Sequence, residues 1–142
     1  MAAVGSNWVI EKHSYSFWQS FAKKAHYVVF GEDREDSLNR YNFVITARLK
    51  GELTAYFTAH EMDSETMYIQ HGGAFPNNEK TIYVYQGFNE MVSFCLKEYK
   101  RVSMKVENTN QSMLKLAIAS NFLVCGFSVF KDKKFVELIR EV

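Results

Sequence analysis

An α+β domain, with helices on both faces of a mixed and mostly antiparallel sheet, is the fold class this chain predicts. Three observations carry it. Residues 43–59 alternate apolar and polar side chains on either side of a glycine. Residues 82–99 switch to apolar positions three and four apart. Residues 110–126 read as a capped amphipathic helix, a left-handed exit and a strand. A period of two marks a half-buried strand, and a period near 3.6 marks a helix.

Taken in order, Trp8-Val9-Ile10 predicts a first strand. Phe17, Phe21 and Ala25, followed by Val28 and Val29, share one helical face that Trp18 and Ala22 widen. Ser14 or Ser16 is placed to cap this helix and Gly31 to end it. Phe43, Ile45, Ala47 and Leu49 then alternate with polar neighbours, as do Leu53, Ala55, Phe57 and Ala59. Lys50-Gly51-Glu52 lies between the two runs and predicts a hairpin with Gly51 at its turn. Met62–Glu65 forms a second turn, and Thr66–His71 the third strand.

Ile82, Tyr85, Phe88, Val92, Cys95, Leu96 and Tyr99 predict the longest helix. Val102, Met104 and Val106 point inward from a strand over residues 101–106. In the helix beginning near Asn110, Met113, Leu114, Ala117 and Ile118 make the buried face. Asn108, Thr109 or Asn110 can accept from its free N–H groups. Asn121 supplies the left-handed exit, because Asn is the best substitute for Gly there. Val124–Phe130 and Phe135–Ile139, around Lys131-Asp132-Lys133, close the chain as two strands. The order β, α, β-β-β, α, β, α, β-β gives a meander followed by a β-α-β step.

All 142 residues suit a single domain, 1–142, with a core that needs no staples. Its one proline, seven glycines and 15% aromatics argue against disorder. The net charge is +1 and the two signs interleave, so no nucleic-acid stripe stands out. No signal peptide or membrane-spanning run is visible. Cys95 and Cys125 both sit among apolar neighbours and read as reduced core thiols of an intracellular protein. The expected location is a cytoplasm, or a virion if the chain is phage-encoded.

The 110–126 unit resembles the last helix–strand step of the GNAT acyltransferase superfamily. Asn110, Leu116, Phe122 and Gly126 stand in frame with that pattern, and the element order over residues 8–139 agrees with it. The resemblance implies a GNAT-like fold and an acetyl-CoA or other acyl-CoA co-substrate. It places the cofactor contacts at Gly72, Gly73, Ala74, Phe75, Lys80, Thr81 and Asn110. In this family two middle strands splay apart, and a freed backbone N–H polarises the thioester carbonyl. The Gly72–Phe75 stretch stands at that place.

Three departures accompany it. Asn121 replaces the preferred Gly, at little structural cost. Ala117 stands where many members carry the Tyr that reprotonates the leaving thiolate. The glycine-rich loop that cradles the pyrophosphate is replaced by Pro76-Asn77-Asn78-Glu79-Lys80-Thr81-Ile82, which has no glycine. Lys80 partly compensates for Glu79.

The four histidines lack metal-ligand spacing, so no metal site is expected. His71, at the end of the third meander strand, is the candidate base. His71-Gly72-Gly73 without a G-x-S-x-G elbow does not make an esterase.

Two functions follow. One is an N-acyltransferase that moves an acyl group from acyl-CoA to an amine, the acceptor being unnamed by the residues. The other is a non-catalytic GNAT-like binding or structural protein, resembling small phage-encoded relatives associated with virions. A protein partner is compatible with either, and the strand Phe135–Ile139 is the expected sheet edge for pairing.

Overall fold

The alternating runs become one seven-stranded sheet in the computed structural model, which describes residues 7–14, 43–75 and 81–142. Its strands are β1 (Trp8–Ser14), β2 (Phe43–Leu49), β3 (Glu52–Asp63), β4 (Thr66–Ala74), β5 (Arg101–Glu107), β6 (Leu123–Phe130) and β7 (Lys133–Glu141). Two helices are described, α1 (Thr81–Cys95) and α2 (Gln111–Ala119). The spatial order is β1-β2-β3-β4-β5-β7-β6. Every neighbouring pair is antiparallel except β4 and β5, which run parallel and are joined through α1. The helix expected over residues 17–29 lies outside the described residues.

The hairpin between β2 and β3 turns through Lys50 and Gly51 alone, both at positive φ (51° and 84°). A two-residue turn with both residues left-handed matches the natural twist of the strands it joins. Between β3 and β4, the Asp63 carboxylate accepts the Glu65 N–H at 2.8 Å and closes the turn.

The core lies between one face of the sheet and the two helices. Ile45, Phe57, Met67, Val102, Met104 and Leu138 are buried there against Phe88, Met91 and Val92 of α1 and Ala117 of α2. Both helices cover the same face. The Tyr85 hydroxyl donates to the Ala119 carbonyl at 2.8 Å, and the Phe88 and Phe122 rings lie 5.8 Å apart. The opposite face of β2 and β3 is buried too, at Val44, Thr46, Tyr56 and Thr58.

Four expectations need revising. Ile118, expected on the buried face of α2, is exposed, since that face turns to the sheet through Ala117, Met113, Leu114 and Leu116. The long helix stops at Cys95 rather than Tyr99. Tyr99 still belongs to the core, stacked on Phe43 and donating to Glu61 Oε2 at 2.6 Å, so its side chain is tied to the sheet instead of continuing the helix. Cys125 is exposed, because β6 is the outermost of the described strands. For the same reason Phe135–Ile139 offers no free edge: β7 is paired on both sides, with β5 and with β6.

Candidate functional site

The site is made where the parallel ladder fails. β4 and β5 pair over only four residues, from Thr66↔Arg101 to Ile69↔Met104. Beyond Ile69 the β3–β4 register shifts by one, with Thr58 opposite His71 and Ala59 opposite Ile69. Gln70 is the extra residue of that bulge. A bulge bends the strand that carries it and increases its twist. β4 therefore follows β3 to Ala74, while β5 follows β7 to Glu107. The parting begins at Gln70, two residues before the glycine pair.

Which backbone groups the parting frees follows from the register. The Phe75 N–H donates to the Thr54 carbonyl at 2.9 Å, and the His71 N–H donates to Thr58 Oγ1 at 3.2 Å. Tyr56 lies opposite Gly73, in the same hydrogen-bonding phase as these two. The amides of Gly72 and Ala74 are in the other phase and turn toward the gap. Of the stretch Gly72–Phe75, then, two N–H groups face the opening and two face β3. Gly72 is also pressed against its neighbour strand. A Cβ on it would lie 2.8 Å from the Phe57 Cβ and 2.9 Å from the Tyr56 carbonyl oxygen.

The resulting cleft holds about 590 Å³, within the ordinary range for a small-molecule site. Its base is Ile69 and Met104, and its β4 wall runs through Gln70, His71, Gly72, Gly73 and Ala74. Val84, Phe88 and Met91 of α1 present one helical stripe to it, and Asn110, Ser112, Met113 and Leu116 close the β5 side. Lys105 brings a cation to the lining, and none of the described lining residues is acidic. The first turn of α1 also lacks acidic residues, so nothing within that turn offsets the positive end of the helix dipole.

His71, Gly72, Gly73, Ala74 and Asn110 are thus brought together on one cleft. Asn110 spends its Oδ1 as the α2 cap, accepting the Met113 N–H at 3.2 Å. Phe75 stands just beyond the β4 wall, tilted against the Tyr56 ring at 5.8 Å. Thr81 is the first residue of α1, and Lys80 lies outside the described residues. Ala117 is fully buried on the sheet-facing side of α2 and does not line the cleft.

Gln70, Lys105, Ser112 and Met113 were not legible as cleft residues. The Gln70 side-chain oxygen is buried without a hydrogen-bond partner. An unpaired buried acceptor is costly, and such groups concentrate where a ligand supplies the missing donor. The glycine pair was the only sequence sign of a bulge, and it sits two residues late.

No protein-family model matches the chain, and no curated protein matches it by sequence. Solved structures do match. An IAA acetyltransferase from Bacillus cereus superimposes with a TM-score of 0.71 at 13% identity, over 95% of this chain and 99% of the other. A GNAT family acetyltransferase from Elizabethkingia anophelis, solved with acetyl-CoA bound, gives 0.71 at 12% identity, over 96% and 99%. NAA60 from Arabidopsis thaliana, in complex with acetyl-CoA, gives 0.68 at 13% identity, over 95% and 99%. The chain has the GNAT fold.

Proposed function

We infer that the protein is an N-acyltransferase that takes its acyl group from an acyl-CoA and delivers it to an amine. One observation carries the reading: the β4–β5 ladder ends at Ile69 and Met104, and two amides that the register turns away from β3, those of Gly72 and Ala74, face the cleft it opens. Preset N–H donors aimed at a developing oxyanion are the largest single term in acyl transfer. The likeness to acetyltransferases solved with acetyl-CoA supports the same choice of donor.

The thioester carbonyl would lie against those amides. A neutral amine attacks it, the C–N bond forms and the C–S bond breaks. The amine's proton leaves to His71 or to water, and the thiolate is reprotonated from solvent. A thiol has a pKa of about 8.5, so the thiolate is a good leaving group that departs unprotonated and takes its proton from bulk solvent or buffer afterwards. The absence of a hydroxyl at Ala117 therefore removes a convenience rather than a requirement. Lys80 and the N-terminal end of α1 from Thr81 onward are the groups proposed for the diphosphate, with Asn110 at the adjoining helix start, while Lys105 lines the cleft ion-paired to Glu137 at 3.6 Å.

Thermal melting with acetyl-CoA tests the reading. Ligand at 100 times Kd should add about 2.7 kcal/mol of stability. Free thiol should appear when a primary amine is supplied, and Gly73→Val should abolish the melting shift. No shift with acetyl-CoA or any longer acyl-CoA overturns it.

The buried Ala117 favours a second reading, in which the fold survives as a binding or structural module of a phage, carried in the host cytoplasm or the virion. A chain that binds no acyl-CoA and releases no thiol is what that reading expects.

A further inference from the structure

The two edges of the sheet are built differently. β1 carries Glu11, Lys12 and His13 along its length. Charged edge strands resist pairing with another chain. β6 reads Leu-Val-Cys-Gly-Phe-Ser-Val-Phe, with no charge and no proline over eight residues. It is also the most exposed apolar element described: Leu123 is 70% exposed, Phe127 77%, Val129 68% and Phe130 66%.

Among the described residues, no strand pairs with the outer backbone of β6. The Lys134 carbonyl accepts from the Asn108 N–H at 2.9 Å, on the β5 side of β7. Lys134 and its partner Val129 are therefore a pair that exchanges no hydrogen bonds. Alternation turns the N–H and C=O groups of Phe127 and Val129 outward.

We propose that β6 is a dimerisation edge, where a second copy of this chain adds its own β6 antiparallel to make a continuous fourteen-stranded sheet. Three features select that occupant. Phe127 and Val129 lie on the helix-covered face, opposite Val136 and Lys134, whereas Leu123 and Phe130 lie on the other, opposite Ile139 and Lys133. A helix or a membrane surface laid on one face would leave the other wet. An added strand covers both faces through cross-strand pairs.

The charges favour the antiparallel arrangement. Lys131, Lys133 and Lys134 crowd the hairpin tip after Phe130, and the other end of β6 follows Ser120, Asn121 and Phe122. Antiparallel pairing sets each lysine cluster beside the partner's uncharged end. Parallel pairing would stack the two clusters.

The area suffices. Taking about 200 Å² for a whole phenylalanine, Phe127 and Phe130 together expose roughly 280 Å². With Leu123, Val124 and Val129 the strand presents on the order of 500 Å² per copy, at the upper end of what a monomer leaves uncovered. Two copies together present on the order of 1,000 Å² of apolar surface, about the threshold for a biological interface before the paired backbone is added.

Sedimentation equilibrium of the full chain should show a dimer at micromolar concentration. Phe127→Lys should weaken it at least 100-fold. Val129→Pro is the sharper variant, since its N–H points outward and proline there removes no bond within the monomer. It should give a folded monomer by circular dichroism with an unchanged unfolding midpoint at low protein concentration. A wild-type chain that stays monomeric at 100 times that concentration overturns the proposal. So does a dimer that both variants leave intact.

Discussion

Gly72 shows how one residue serves both packing and chemistry. No side chain fits between its Cα and Phe57, and the close approach keeps β4 against β3 after β5 has left. Paired glycines at a strand end announced some close approach in the sequence. That Gln70, two positions earlier, begins the divergence was not legible, because a bulge is a property of register with a partner and leaves no mark on the bulged residue.

The two cysteines separate at the same scale. Similar apolar neighbours surround both in sequence, yet Cys95 is buried under the sheet and Cys125 is exposed on an outer strand. Burial pushes the Cys95 thiol up to about 12. Its folded value lies above its unfolded one, so the unfolded chain loses the proton first as pH rises. The associated stability is complete below about pH 8.5, the ordinary thiol value, and is lost progressively above it. Urea midpoints of wild type should fall between pH 8.5 and 10.5 more steeply than those of Cys95→Ala. A disulfide reagent at pH 8 should titrate one thiol in the native protein and two in denaturant.

Among the elements, α2 and its exit were the most legible, because capping is local. Asn110 accepts at the N-terminus as its position implies, and Asn121 takes φ 68°. Asn121→Ala should destabilise the protein by about 1 kcal/mol, the cost of a Cβ without a compensating amide in left-handed backbone. Asn121→Gly should be neutral or slightly stabilising, and denaturant unfolding of the pair measures both. Strand β6 was the least legible element. Its apolar run reads as core by composition, but a strand's burial depends on what lies beside it. Only the order β5-β7-β6 reveals that this one is outermost.

Across the whole molecule the element order foretold the sheet and its mixed sense, and the GNAT resemblance implied the gap between its middle strands. What it left out was the extent of pairing. The meander β1–β4 and the trio β5-β7-β6 meet along just four residue pairs, while β3–β4 and β5–β7 are paired nearly end to end. Helix α1 bridges the two halves, helped by Arg140 donating to Asn89 at 2.9 Å and by the Lys12–Glu98 ion pair at 2.8 Å.

That short seam makes whatever fills the wedge a clasp between two half-sheets. Its occupant would touch the meander through Gly72 and Ala74 and the trio through Met104 and Lys105 of β5. Closing and opening of the halves would then be coupled to occupancy. Hydrogen exchange should slow on both sides of the seam together when acetyl-CoA is added, at amides of β4 and of β5 alike. Protection confined to one strand would mean that the halves already move as one body.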